Sequence, residues 1–373
     1  MSVKAQVVIS AMEAWAPKRL AADWDNVGLQ VGDPADDVYG VLVTLDVDEA
    51  ALAEAEEAGA NFVVTHHPLI FKPVSHLRRD LPLGRLISKA VAGGVGVYAA
   101  HTNLDSARGG VNDTLAAALG LADTEVLSAT YEEPLIKLAV FVPGGHAEAV
   151  REALARAGAG HIGNYSDTAF WTEGKGFFRP MEGTHPYLGE HGKLEEVEEV
   201  RLETILPKGL TGKVVKAMLA AHPYEEVAYD LYPLANSGEP FGLGRIGLLP
   251  GETDLQTMVA KVKDVLGVAQ VGVVGDRERT IKKVAVCGGS GAGLIHQAAF
   301  RGADLFITGD IKYHDAQEAH QLDLAIIDAG HFATERVILP VLAEKLRQAL
   351  VGAGHPEVPV TVAGSGKDPF EIL

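Results

Sequence analysis

Five residues stand out for side chains of the kind that can hold transition metals: His66, His67, Asp105, His331 and Glu335. Imidazole nitrogens and carboxylate oxygens together suit zinc, iron, manganese, cobalt or nickel, and the mixture argues against magnesium or calcium alone. On a strand, neighbouring side chains point to opposite faces, so His66 and His67 are badly placed to chelate one ion together. At a frayed strand end each can hold a different ion of a close pair. A carboxylate such as Glu335 or Asp105 can bridge two ions, which in such sites lie roughly 3.5–4 Å apart. His331 and Glu335 are four positions apart, so a helix starting near Gly330 puts both on one face. Each residue also has an ordinary reading: a histidine pair in a core, Asp105 as a turn or helix cap, Glu335 on a solvated helix face. What favours metal is that three separate strand ends each deliver a residue of ligand type.

Other residues surround this set. His101 reads equally well as a group that orients a ligand, as an acid/base or as a hydrogen-bonded core histidine. Asp310, Lys312 and His314 follow a strand that matches the one before His66, and either face the same cavity or, for Asp310, cap the next helix. Cys287 reads as a small buried apolar residue.

The elements that must position these residues are legible as apolar runs. Phe62-Val63-Val64-Thr65 is a continuous run that ends in His66-His67-Pro68. It suits a parallel strand covered on both faces, and Pro68 cannot continue a ladder. Helical spacing over residues 3–22 makes Ala11, Met12, Trp15 and Leu20 core candidates. The polar stretch Asp23 to Asp33 reads as a turn leading into a strand. Val41–Asp46 is a strand, 48–58 a helix, and with the histidine strand they form a βαβ unit. A helix over 82–92, a strand at Gly96–Ala100, His101-Thr102-Asn103-Leu104-Asp105 and a helix over 111–119 complete the segment. The pattern returns downstream: a strand into a glycine turn at Val284–Gly289, a helix over 291–301, a strand at Asp304–Asp310, a helix over 314–321 and a strand at Leu324–Asp328.

Laid over each other, the two segments form a weak internal repeat. Val41 to Gly59 and Val284 to Gly302 each span 18 positions, and Thr65 then falls on Thr308. The third strands align His101 with His331 and Asp105 with Glu335. The fold expected is therefore α/β, with two similar βαβ-containing halves, residues 1–127 and 240–373, presenting polar strand ends to one metal-binding core. Ligands in open α/β sheets bind outside such strand ends. Residues 128–239 differ in character. Their strand, helix, strands, helix, strand order predicts an inserted ferredoxin-like α+β domain, with a glycine-rich stretch from Gly174 to Gly192.

Composition bounds the function. The 373 residues exceed one ordinary domain. With 50 acidic against 32 basic residues the formal charge is −18, which repels nucleic acid and anionic membrane surfaces in the absence of a basic patch. A lone cysteine excludes an intrachain disulfide and any multi-cysteine zinc site. With no secretory signal pattern and no stretch near the roughly 20 apolar residues of a membrane helix, a cytoplasmic protein is expected.

The motifs Trp24-Asp25-Asn26-Val27-Gly28-Leu29, Thr65-His66-His67-Pro68, His101-Thr102-Asn103-Leu104-Asp105, Thr308-Gly309-Asp310 and Asp328-Ala329-Gly330-His331 followed by Glu335 closely resemble those of the Nif-three-like dinuclear metal-centre proteins. That family also carries the label GTP cyclohydrolase 1 type 2 homologue. The resemblance covers residues 1–127 and 240–373. It implies an α/β core, a toroidal homohexamer and two divalent ions per subunit, zinc first among them, held by His66, His67, Asp105, His331 and Glu335. His222-Pro223-Tyr224-Glu225-Glu226-Val227 resembles a motif of the trimeric CutA and PII-like folds, and longer family members carry such an insert. It implies an insert that trimerises, covers the toroid openings and gates access or binds a small effector.

Two functions follow as expectations. The first is a metal-dependent hydrolase of a nucleotide-like small molecule, with His101 shuttling a proton; no Walker-type phosphate loop supplies independent evidence for GTP. The second is a metal-delivery or regulatory protein whose insert senses a small ligand.

Overall fold

The computed structural model describes residues 2–371. The chain divides into two compact units, one formed by the residues up to Tyr131 together with those from Phe241 onward, the other by Glu132–Pro240. The first core segment runs past residue 127 because the strand Ala122–Glu132 continues there.

The larger unit holds a five-stranded and a six-stranded sheet. In the five-stranded sheet, Val41–Thr44, Phe62–Thr65 and Gly96–Ala99 lie side by side and parallel. Val360–Val362 pairs parallel on one edge, and Gly28–Val31 antiparallel on the other. The three central strands are buried along their whole length, as expected where helices cover both faces. Alternate residues divide between two cores. Val41, Val43, Phe62, Val64 and Tyr98 meet Val8 and Met12 of the helix Ala5–Trp15 and Ile338, Leu342 and Leu346 of the helix Ile338–Gly352. Leu42, Val63 and Val97 meet Leu52 and Ala55 of the helix Glu49–Glu57 and Ala90 of the helix Pro82–Ala92.

The first helix is shorter than its periodicity predicts. It stops at Trp15, and a 3-10 turn at Lys18–Leu20 follows. Pro17 has no amide hydrogen to continue the ladder. Met12 and Leu20 are buried, whereas Ala11 and Trp15 are half-buried against the same core.

In the six-stranded sheet, Thr280–Ser290, Leu305–Gly309 and Ala325–Asp328 lie side by side and parallel. They stand in the same sequence order as the three central strands of the first sheet. Gly272–Val274 and Pro240–Asp254 flank them antiparallel, and Ala122–Glu132 forms the outer edge beyond Pro240–Asp254. The helix read over 291–301 is a 3-10 turn, Ala292–Leu294, leading into Ile295–Phe300. Where the chain leaves and re-enters this unit, the rings of Tyr131 and Phe241 are 6.3 Å apart.

The smaller unit is an antiparallel four-stranded sheet in the order Tyr229–Pro233, Leu135–Pro143, Glu195–Pro207, Phe170–Phe178. The helices Ala147–Ala157 and Thr211–Ala221 share one apolar core with it through Val150, Leu154, Val214 and Met218. The strand Phe170–Phe178 runs into the stretch read only as glycine-rich, because Gly174 and Gly176 pair with Glu199 and Val197. Among the described residues, no helix is long and apolar enough to cross a membrane.

Candidate metal centre

Thr65 ends its strand beside Thr44 and Ala99, and the chain then turns inward. The Thr65 hydroxyl donates to the carbonyl of Leu45 at 2.8 Å and lies 3.1 Å from that of His67, which fixes this turn. Both histidines therefore enter one cluster, their rings 5.0 Å apart and tilted by 45°. His66 is completely buried. The next strand end supplies His101 and, one turn along the helix Thr102–Ser106, Asp105. The second sheet supplies His331 and Glu335 from the short helix His331–Glu335. Glu335 is buried rather than solvated.

The two carboxylate oxygens of Glu335 face different partners. Oε2 lies 3.0 Å from His67 Nε2 and 3.1 Å from His331 Nε2. Oε1 lies 3.6 Å from His66 Nε2, and Asp105 Oδ1 is also 3.6 Å from that nitrogen. The Nε2 atoms of His67 and His331 approach to 3.4 Å. His66 Nε2, Asp105 Oδ1 and Glu335 Oε2 are buried without an aligned hydrogen-bond partner. Among the described residues, two sets of potential ligand atoms converge within 4.8 Å: those of His66, His67 and His101, and those of His67, His331 and Glu335.

Each imidazole is oriented from behind. Nδ1 of His67 meets Asp46 Oδ1 at 2.9 Å, Nδ1 of His331 meets Asp310 Oδ2 at 2.7 Å, and Nδ1 of His101 meets Asp25 Oδ1 at 2.9 Å. His66 Nδ1 lies 2.8 Å from the carbonyl of Ala100. Carbonyls and ionised carboxylates only accept, so these partners assign the proton to Nδ1 and leave the Nε2 lone pairs aimed inward. This is how protein sites orient histidines for metal. Lone pairs and carboxylate oxygens brought this close repel one another unless positive charge lies among them.

The electrostatics agree. Burial opposes charge on His67, but the carboxylates of Asp46 and Glu335 raise its pKa to about 10. The ion pair with Glu335 raises His331 to about 9, against burial and with help from Asp310. Burial likewise opposes protonation of His66, yet Asp105 and Glu335 raise it. Burial lifts Asp105 to about 6. For Glu335 the histidines outweigh burial and hold the carboxyl well below its usual range. The cavity therefore favours positive charge, and the residues present fit a divalent cation.

Gly289 gives this cluster its room. A Cβ there would come within 2.2 Å of Glu335 Oε1 and 3.2 Å of His331 Nε2, and its φ of +64° favours glycine. Its backbone is fixed, its amide donating to Thr334 Oγ1 at 2.9 Å and its carbonyl accepting from Thr308 Oγ1 at 3.2 Å.

The sequence matches the Duf34/NIF3 (NGG1p interacting factor 3) family over residues 3–369. The chain belongs to this family. A Bacillus subtilis (strain 168) relative called GTP cyclohydrolase 1 type 2 homolog is 48% identical, the match covering all of this chain and 99% of that protein. A Mycobacterium tuberculosis relative of the same name is 38% identical, with 100% and 98% covered. Among solved structures, a Bacillus cereus protein related to NIF3 superposes with a TM-score of 0.94 at 47% identity, covering 100% of this chain and 99% of that one.

As a NIF3 protein the chain brings His66, His67, Asp105, His331 and Glu335 into one cluster and adds His101 at its rim. Asp310 faces the cluster, whereas the Lys312 amide joins Asp315 and His314 joins Gln317 on the next helix. Cys287 is buried, and burial pushes its thiol up. Sequence reasoning missed Asp25 and Asp46 as orienting groups. Their signal was present, since each lies at or near a strand end that borders a histidine strand.

Proposed function

We propose that this NIF3 protein binds two divalent metal ions, zinc first among the candidates, and uses them to hydrolyse a nucleotide-like small molecule. The observation that carries this reading is Glu335, whose two buried oxygens face separate nitrogen donors. Oε2 faces His67 and His331, and Oε1 faces His66 beside Asp105. One ion would be held by His67, His331 and Glu335, the other by His66, Asp105 and Glu335, with His101 in reach of the second. Bound cations of this kind supply Lewis acidity, which acidifies water and polarises an electrophile. His101 keeps its Nδ1 proton on Asp25 and turns Nε2 into the cavity, where it can take or return a proton. The name of the relatives supports a nucleotide-like substrate.

The smaller unit reads as a ferredoxin-like insert of the CutA/PII-like kind. Support comes from its strand, helix, strand, strand, helix, strand sequence and from the sheet order, in which the first and third strands are central. Exposed Phe170, Trp171, Phe177, Tyr229, Leu231 and Tyr232 on this sheet support its burial between subunits of a homohexamer.

The test is to load the protein separately with zinc, manganese, iron and cobalt, count the metal by mass spectrometry and screen nucleotides and related metabolites for turnover. We expect two ions per chain and turnover that Glu335→Ala abolishes together with the metal. Turnover no higher in any loaded form than in Glu335→Ala would defeat the hydrolase reading and leave metal delivery or regulation in its place.

A further inference from the structure

Three aromatic rings stand edge to face at the rim of the metal centre. Trp24 and Phe71 are 5.8 Å apart at 60°, and His101 lies 6.1 Å from Trp24 and 6.4 Å from Phe71. His101 in turn contacts the rings of His66 and His67 at 5.3 and 5.6 Å. The outer two rings are not buried: Trp24 is 63% exposed and Phe71 44%.

Their positions are set by polar neighbours. Asp25 is drawn inward, its Oδ1 on His101 and its Oδ2 accepting from the Thr102 amide at 3.0 Å, so Trp24 lies beside an anchored residue. On the other side Asn26 Nδ2 and Gln30 Nε2 both donate to the carbonyl of Ile70, and the Ile70 amide donates to Gln30 Oε1 at 2.8 Å. The backbone beside Phe71 is thereby tied to the backbone that follows Trp24. An exposed pair of large aromatic rings inclined at 60° offers a planar ligand the face of one ring and the edge of the other, at low entropic cost.

We infer that Trp24 and Phe71 form a stacking platform for the planar ring of a heteroaromatic substrate, which places the atoms attached to that ring against His101 and the ligand cluster. The inference rests on the proposed metal-centred reaction and narrows its substrate class to compounds with a flat nitrogen-containing ring. Neither residue is among the proposed metal ligands, so metal content should survive their substitution.

The experiment uses full-length, metal-loaded protein with guanosine monophosphate and uridine monophosphate as probes and ribose 5-phosphate as the ringless control. Affinities are read by equilibrium dialysis and by tryptophan emission. We expect the nucleotides to bind at least roughly tenfold more tightly than ribose 5-phosphate, as ring stacking provides. Trp24→Ala and Phe71→Ala should each weaken nucleotide binding by roughly 5- to 100-fold, leaving ribose 5-phosphate affinity unchanged. Trp24→Phe should retain most of the affinity but lose the emission quenching, which separates loss of the ring from loss of the fold. Equal affinity for ribose 5-phosphate and the nucleotides, unaltered binding in Trp24→Ala, or no binding of either nucleotide would overturn the proposal. Metal content measured on the same samples reports on the metal centre separately. Protein that takes up no metal on loading yet binds guanosine monophosphate through Trp24 would support the platform and sink the metal reading.

Discussion

Asp46, Asp310 and Asp25 do not point at the centre of the cluster, yet each decides which nitrogen of a histidine does. Removing one leaves the corresponding imidazole free to rotate or change tautomer. Loss of such an orienting carboxylate typically costs roughly 10- to 100-fold in metal affinity. Asp310→Ala should therefore weaken zinc binding by about that factor while the fold survives, since the Asp310 side chain is 46% exposed and its described contact is with His331. Competition with a chromogenic chelator measures the affinity. An unchanged value would mean that His331 is held by its helix alone. Asp310 also sits at a φ of +58°, a conformation asparagine tolerates, so Asp310→Asn keeps the backbone while removing the charge. It should fall between wild type and Asp310→Ala.

At the scale of elements, the strand ends do the assembly. The Phe62–Thr65 strand stops at a threonine and Leu305–Gly309 at a glycine, the residues that follow bring His66, His67 and Asp310 to the cluster, and Gly289 leaves the space that the side chains fill. Gly289→Ala tests this: the added Cβ meets Glu335 Oε1 and the φ of +64° is costly for alanine. Metal content should drop to a small fraction of wild type with a lowered melting temperature, whereas Gly251→Ala, at an open position, should change neither. Much of this layer was legible in the sequence because buried parallel strands are continuous apolar runs and their ends are marked by polar residues. Val41–Thr44, Phe62–Thr65 and Ala325–Asp328 read directly for that reason. The break at Pro17 was overridden by helical spacing on either side. The strand Phe170–Phe178 was hidden because glycine carries no strand signal, and its pairing with Glu195–Pro207 comes from far along the chain. A single aspartate after a strand, such as Asp46, reads first as a turn residue; its place at the end of the strand beside the histidine strand is the signal, and its contact with His67 shows which ring it orients.

For the whole molecule, a metal held at this cluster would be coupled to the stability of one unit. The cluster joins strand ends of both sheets of the larger unit, and without a cation its buried donors lack full compensation. A ligand that binds only the folded state raises stability in proportion to the logarithm of its concentration over its Kd. Calorimetry of the zinc-loaded protein should resolve two transitions, one for each compact unit. Chelation should lower only the one that belongs to the larger unit. A shift of both, or of neither, would contradict the assignment of the metal to that unit alone.

The closeness of Tyr131 and Phe241 has a consequence for the architecture of the gene product. The segment Glu132–Pro240 enters and leaves through adjacent strands, Ala122–Glu132 and Pro240–Asp254, so the larger unit contains a ready-made splice point. Replacing residues 132–240 with a tight two-residue hairpin should yield a shortened chain in which both sheets and every ligand remain. If that miniature takes up zinc with wild-type stoichiometry, the centre is a self-sufficient module onto which the interrupted segment has been grafted.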